Sequence, residues 1–278
     1  MKNTIMVTGA SGYIGRHVVS ALLAKGAEVI AVDLVNRGIP SGATVCTGNL
    51  LEDQDFQMAL PHVDAIIHLA WQDGFVHNAP SHIANLSKHL DFIKMMVDRG
   101  VKQIAVMGSM HEVGYWEGAI DENTPCNPLS MYGIAKNALR QALFTQYKGR
   151  DVVLQWLRGF YIYGDDHQNH SIFTKLLEAA EAGKEKFPFT SGKNKYDFMP
   201  IEKFAECIAL TILQQEVAGI INCCSGNPIS LAEAVENFIK LHGLSIKLDY
   251  GAFPDRPYDS PGIWGDPTKI NNIIQKAN

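Results

Sequence analysis

The sequence predicts a doubly wound α/β protein: a parallel sheet with helices on both faces, carrying a small discontinuous α/β lobe toward the C-terminal end. Three observations carry that expectation. Short apolar runs alternate with stretches of helical periodicity from Thr4 to about residue 160, the pattern of strands joined by right-handed helical crossovers. The first run, Thr4-Ile-Met-Val-Thr8, meets Gly9-Ala-Ser-Gly12-Tyr-Ile-Gly15 and then an apolar-periodic stretch to Leu23, which reads as strand, glycine turn and helix. The second run, Glu28-Val-Ile-Ala-Val-Asp33, ends in a carboxylate, about 20 residues past that turn, where the ribose of a bound dinucleotide needs an acceptor.

The spacing G-x-x-G-x-x-G lets a pyrophosphate approach the backbone, while amide groups at the helix start offer partial positive charge. Gly9, Ser11, Gly12, Tyr13, Ile14 and Gly15 are therefore expected against the cofactor. Asp33 favours NAD, because a carboxylate repels a 2′-phosphate. Arg16 and Arg37 keep NADP open, since an arginine beside the turn pairs well with phosphate.

The chain has 278 residues, with 24 Lys and Arg against 29 Asp and Glu and a formal net charge of −5. There is no basic excess to attract nucleic acid or an anionic membrane, so neither is expected as a partner. Only Lys2 precedes the first apolar run, which is too short for a signal-peptide core. No stretch approaches the length of a membrane span, and a cytoplasmic protein is expected. The five cysteines lack C-x-x-C spacing and read as reduced structural thiols.

Taken in order, the elements after Asp33 are a turn-rich link, a strand at Thr44–Thr47 and a helix over Leu51–Leu60 with acidic residues near its start. A buried strand follows over Asp64–Ala70, then a polar loop, one long helix over Ile83–Asp98 stopped by Gly100, and a fifth strand over Gln103–Gly108. In such sheets ligands bind beyond the carboxyl ends of the strands. Ser109-Met-His-Glu112 lies there. Next, Ser130-Met-Tyr132-Gly-Ile-Ala-Lys136 opens another helix. Tyr132 and Lys136 share one helical face, and an ammonium near a phenol lowers its pKa so that it exchanges a proton near neutral pH.

Together, Thr8–Gly15, Asp33, His68-Leu-Ala70, Ser109, Tyr132–Lys136 and Leu157-Arg-Gly-Phe-Tyr-Ile-Tyr-Gly164 resemble the extended short-chain dehydrogenase/reductases, within them the NAD-dependent epimerase/dehydratase group that works on nucleotide sugars. Tyr196-Asp-Phe198, Ser225–Ser230, Arg256-Pro-Tyr-Asp259 and Asp266-Pro-Thr-Lys269 also match. The resemblance implies that Tyr132 exchanges the substrate proton and that Lys136 holds the nicotinamide ribose and tunes Tyr132. It puts Asn49 and Leu50 beside the adenine, and Leu69, Ala70 and Trp71 along the middle of the cofactor. Arg256 is implied as the clamp on the substrate diphosphate and Asp259 at the nucleoside ribose. A homodimer seamed by the helices at Ile83–Asp98 and Met131–Tyr147 is also implied.

Departures are informative. Most members carry a second hydroxyl after the fifth strand, whereas Ser109-Met110 stands here. A thioether cannot donate a hydrogen bond, which leaves Ser109, His111 or Tyr132 alone to serve the reacting oxygen. Glu112 lacks the acidic neighbour of the dehydratases, which disfavours water elimination, and Tyr161 replaces the usual asparagine. Glu112 and Tyr161 are expected on the substrate. Trp71 stands where glycine is common. Asp165–His170 reads as a helix-capping loop, not a metal site, and His77, His82 and His89 are too loosely spaced to form a site unaided. The division expected is a Rossmann-like NAD(P)-binding part over 1–170 and a mainly substrate-binding lobe over 171–278, with some segments returning to the sheet.

The function this implies is an NAD(P)-dependent oxidoreductase on a nucleotide-diphosphate sugar, leaning to a 4-keto-sugar reductase. A 4-epimerase with tightly bound NAD is the alternative, and a non-catalytic dinucleotide-binding regulator is the rival from another class.

Overall fold

The computed structural model describes residues 4–164, 171–255 and 259–277. The Rossmann part opens with β1 (Thr4–Thr8), α1 (Tyr13–Ala24), β2 (Glu28–Asp33) and β3 (Thr44–Thr47). It continues with α2 (Gln54–Ala59), β4 (Ala65–His68), α3 (Ser81–Ala84), α4 (Leu86–Asp98) and β5 (Gln103–Ser109). After β6 (Gly118–Ile120) come α5 (Met131–Gln146), β7 (Val153–Gly159) and β8 (Tyr161–Tyr163).

Two helices differ from expectation, each for a local reason. The helix expected from Leu51 starts only at Gln54, because Asn49 and Asp53 turn the chain first: the Asn49 side chain accepts Leu51 N–H at 3.1 Å and Asp53 accepts Phe56 N–H at 2.9 Å as the N-cap. The long helix expected over Ile83–Asp98 is divided at Asn85. Its side chain donates to Gln72 at 3.0 Å and accepts from Lys88 at 3.1 Å, the competition with regular helix that asparagine is prone to.

The C-terminal part runs through α6 (Ile172–Glu181), β9 (Lys186–Pro188), β10 (Lys195–Tyr196), β11 (Phe198–Pro200) and α7 (Ile201–Ile212). Then come β12 (Gly219–Cys223), β13 (Ile229–Ser230), α8 (Leu231–Leu241), β14 (Lys247–Asp249), β15 (Gly262–Gly265) and α9 (Thr268–Ala277).

The main sheet has seven strands in the order β12-β7-β5-β4-β1-β2-β3, every pair parallel, with Met6 beside both Ile30 and Ile66. Apolar side chains fill both of its faces, which is why its strands read as unbroken apolar runs. One face packs on α1, α7 and α9 through Val18, Leu22, Phe204, Ile208 and Ile273. The other packs on α4 and α5 through Phe92, Met96, Leu139, Leu143 and Trp156. Thus α7, β12 and α9 belong with the main sheet although they follow residue 171.

A smaller four-stranded sheet, β13-β10-β15-β6, draws β6 from the first half of the chain. Beside it, α6 and α8 close a separate apolar cluster around Phe173, Phe189, Val235 and Phe238. Asp197, wholly buried, ties this lobe together by accepting from Ser225 N, Ser225 Oγ, Gly226 N and Gly265 N at 2.6–3.2 Å. Strand order reverses between β1 and β4, and the crevice at their carboxyl ends is the expected ligand position.

Candidate active site

The glycine turn is needed first by the chain's own backbone. Gly9 has φ +70°, donates to Val32 O at 2.9 Å, and a Cβ there would lie 2.7 Å from Ala70 N. A Cβ on Gly15 would lie 2.0 Å from Gly9 O. The turn therefore brings β1, α1 and the loop after β4 to a spacing that only glycine permits.

Two cavities open on either side of it. One, of about 350 Å³, is lined by Ser11, Gly12, Asp33, Asn49, Leu50 and Ala70. The other, of about 610 Å³, is lined by Tyr13, Ile14, Gly15, Ser109, Tyr132 and Lys136. They share Gly9, Gly12, Leu69 and Trp71. Asp33 faces the smaller one and already accepts Ser11 N–H at 2.8 Å and Leu34 N–H at 2.7 Å. A dinucleotide fits this pair of spaces: a carboxylate at one end, a cradle without Cβ atoms in the middle, and a lysine and tyrosine at the far end.

Ser130 caps α5 by accepting Gly133 N–H at 3.1 Å, which sets Tyr132 in the first turn and Lys136 one turn on. Lys136 is 2% exposed, donates to Met107 O at 2.8 Å, and holds its Nζ 3.6 Å from the centre of the Trp71 ring. Burial pushes its amine down to about 7, with the Glu112 carboxylate acting in the opposite sense. The phenol behaves otherwise than expected. Burial pushes Tyr132 up to about 12, opposed by the neighbouring Ser109 hydroxyl, and the lysine lies 5.8 Å from its ring centre. Desolvation is the largest influence on the phenol.

The residues after β5 also need correction. Ser109 is the hydroxyl beside the phenol, whereas Met110 packs among Val113, Ile120, Tyr196 and Ile263 and lines a cavity toward the lobe, not the one that holds Tyr132. Glu112 does not reach the substrate cavities. It is wholly buried, accepts Ser109 N–H and Trp156 Nε1–H at 2.7 Å each, and lies 3.3 Å from Arg140 and 3.5 Å from Arg158. Its work is to hold the end of β5, and with it Ser109, in place.

A third cavity, of about 620 Å³, lies toward the lobe and is lined by Tyr161, Tyr196, Phe198, Ser260 and Asp259. It shares His77, His111, Ile162 and Ser171 with the cavity that holds Tyr132. Tyr161 stacks near Tyr196 with ring centres 4.3 Å apart, and burial raises its pKa. Arg256 and the segment Asp165–His170 lie outside the described residues.

Several histidines were not legible as part of this site. Thr8 Oγ1 lies 2.8 Å from His68 Nδ1, and His68 Nε2 lies 2.9 Å from His89 Nδ1. His89 stacks on Trp71 with ring centres 4.5 Å apart and planes within 8°, so Trp71 is held between an imidazole and the Lys136 ammonium. The signal available was the spacing of His82 and His89, seven apart, as two turns of one helix would place them, although the chain breaks at Asn85 between them. Among the described residues no group of three or more His, Cys, Asp or Glu is placed to hold a metal ion, no helix is long and apolar enough to cross a membrane, and all five cysteines are free thiols.

Comparison with known proteins agrees with this arrangement. Residues 5–224 match the model of the NAD dependent epimerase/dehydratase family. The dTDP-6-deoxy-L-talose 4-dehydrogenase (NAD(+)) of Aggregatibacter actinomycetemcomitans is 48% identical over 268 residues, covering 94% of this chain and 98% of that protein. A UDP-glucose 4-epimerase structure superposes with a TM-score of 0.85 at 21% identity, over 97% of this chain and 91% of the other. The UDP-N-acetylglucosamine 4-epimerase of Methanobrevibacter ruminantium M1 does so with a TM-score of 0.82 at 19% identity, over 98% and 92%. These two structures carry the fold.

Proposed function

The chain belongs to the NAD-dependent epimerase/dehydratase family, and from that premise we propose that it interconverts a hydroxyl and a ketone at C4 of a dTDP-linked 6-deoxyhexose, the reaction named for the Aggregatibacter relative. The observation that carries this reading is the meeting of Ser109, Tyr132 and Lys136 in one cavity that abuts the glycine turn on one side and the lobe on the other.

Gly9, Ser11, Gly12 and Asp33 would hold NAD along the turn, where it would supply the acceptor for the hydride of the substrate's C4–H bond. The chain handles the rest. Tyr132 receives the hydroxyl proton when the sugar is oxidised and returns it when the ketone is reduced, so both directions use one phenol. With its pKa pushed up to about 12, Tyr132 holds its proton at neutral pH, the form that serves ketone reduction, and oxidation draws on the small fraction that has released it. Ser109, held by Glu112, offers a hydrogen bond to the same oxygen. Asp33 supports NAD over NADP, because its carboxylate faces the adenosine-side cavity. Asp259, expected at the nucleoside ribose, and Tyr161, expected on the substrate, both line the lobe-side cavity, which supports that side as the substrate's place.

We extend the proposal to a homodimer formed over α3 and α5, where Ile83 (46% exposed), Met131 (41%) and Ile134 (46%) present apolar side chains to solvent. Sedimentation equilibrium of the full chain would show a dimer; a monomer at micromolar concentration would refute it.

The function itself is tested by mixing the purified chain with NAD+ and dTDP-6-deoxy-L-talose. Stoichiometric NADH supports the proposal. Conversion to the C4 epimer with no NADH release would replace it with an epimerase.

A further inference from the structure

Three histidines, His77, His82 and His111, surround the Tyr132 ring and His68 stands behind His89, and the hydrogen bonds of these four sort them into two kinds. His68 has both ring nitrogens engaged, to Thr8 and His89. His82 accepts Trp71 Nε1–H at Nδ1 (3.0 Å), so its Nε2 carries the hydrogen that goes to Val76 O at 2.9 Å. Both are used up by the chain. His77 and His111 are not: among the described residues neither imidazole hydrogen-bonds to protein, and neither has a sealed, unpartnered nitrogen. Both line the Tyr132 cavity and the lobe-side cavity at their junction.

Their position is fixed by the backbone. His77 O accepts Tyr132 N–H at 2.9 Å and the Asn78 side chain accepts Met131 N–H at 3.2 Å, so the loop after β4 is tied to the start of α5. His111 O sits so close to Gly133 that a Cβ there would lie 2.3 Å away. As a result the His77 ring stacks on Tyr132, 5.5 Å between centres and 11° between planes, and His111 stands 6.0 Å from Tyr132 and 4.5 Å from His77.

Burial pushes His111 down to about 4 and His77 below its ordinary value, so at neutral pH each is an uncharged imidazole with one donor and one acceptor. That set is wrong for a phosphate, which calls for cations, and right for alcohols, which also donate and accept. We propose, resting on the function given above, that His77 and His111 read the hexose, bonding its hydroxyl groups near the carbon oxidised at Tyr132, the neighbouring C3 hydroxyl foremost. Sugars lacking those hydroxyls would leave these nitrogens unpaired once the sugar covers them, and would bind less well.

The test is binding rather than turnover. With the chain saturated in NADH, which cannot oxidise the alcohol, titration calorimetry gives the affinity ratio between dTDP-6-deoxy-L-talose and dTDP, which isolates the sugar. The wild type should favour the sugar nucleotide about tenfold or more, and His77→Ala and His111→Ala should each erode that ratio by roughly 3- to 10-fold with dTDP and NAD affinities unchanged. His111→Asn, which keeps a donor and an acceptor, should recover part of it and guards against a folding artefact. Variants that keep the wild-type ratio within twofold would overturn the inference, as would a wild type that binds the sugar nucleotide no better than dTDP. Absence of NADH formation by the wild type would instead count against the function.

Discussion

The two ends of the cleft are made of different material. On the cofactor side the walls are mostly main chain: a turn whose glycines leave 2.0–2.7 Å where a Cβ would sit, amides at the start of α1, and one carboxylate, Asp33, that itself braces Ser11 and Leu34. On the lobe side, the proposed place of the substrate, the walls are side chains, with His77, His111, Tyr161 and Asp259 brought together from segments far apart in sequence. The first is a site that a backbone path creates, tolerant of side-chain identity except at glycine. The second can be rebuilt for another sugar without touching the sheet, which is how one fold serves many reactions.

The sharpest way to break that contrast is at the phenol where the two sides meet. Tyr132→Phe keeps the ring that packs against His77 and Trp71 but removes the proton carrier, and kcat should fall by about 10²- to 10⁴-fold. NAD affinity, measured by fluorescence titration, should not change. A loss below about tenfold would mean the proton travels by another group.

Gly15→Ala tests the main-chain side. A methyl 2.0 Å from Gly9 O forces the turn apart, so NAD affinity should drop at least about tenfold and Tm should fall by several degrees. Gly74→Ala is its counterpart: it also lines the Tyr132 cavity, yet a Cβ there meets nothing within 4 Å, and both readings should stay as in the wild type. Equal damage from both would show that the turn has no special role.

Acid stability probes the wall between the two sides. Burial pushes His68 down to about 3 and His89 to about 2, with Lys136 adding to both. Their unfolded value is near 6.5, so the folded state resists their protonation; the stability they contribute is whole above about pH 6.5 and is lost as pH falls toward the folded values. At pH 5 the loss is about 2 kcal/mol for each histidine. Urea unfolding at pH 7.5 and pH 5 should show this decline, and His89→Gln should flatten it. A wild type equally stable at both pH values would contradict the buried, neutral pair.

The smallest effect is expected at Asp33. Replacing it with serine should weaken NAD by roughly 3- to 10-fold and narrow its preference over NADP, read from the two apparent affinities. An unchanged preference would shift the discrimination to other groups.

The same division explains what the sequence made legible. Gly9, Gly12, Gly15 and Asp33 lie in one strand–turn–helix–strand unit, and the run Tyr132–Lys136 is one helical turn, so local spacing located them. The fold was legible for a similar reason, since strands covered on both faces leave continuous apolar runs. The helix break at Asn85 escaped notice because it depends on a side-chain bond to Gln72, a partner that periodicity does not show. Glu112 was expected on the substrate because the resemblance to the dehydratases puts a glutamate there; its burial against Arg140 and Arg158 is a tertiary fact. The place of Met110 depended on the register of the short helical turn Met110–Glu112, and the raised pKa of Tyr132 on a depth of burial that spacing does not encode.

The central claim is that this cleft moves a hydride from C4 of the sugar while Tyr132 takes the hydroxyl proton. Its most direct test uses dTDP-6-deoxy-L-talose carrying deuterium at C4, with NAD+ and the full chain, and mass spectrometry of both products. The account expects one deuterium in the NADH released and a 4-keto sugar that has lost it. Deuterium still on the sugar, with no labelled NADH formed, would contradict it.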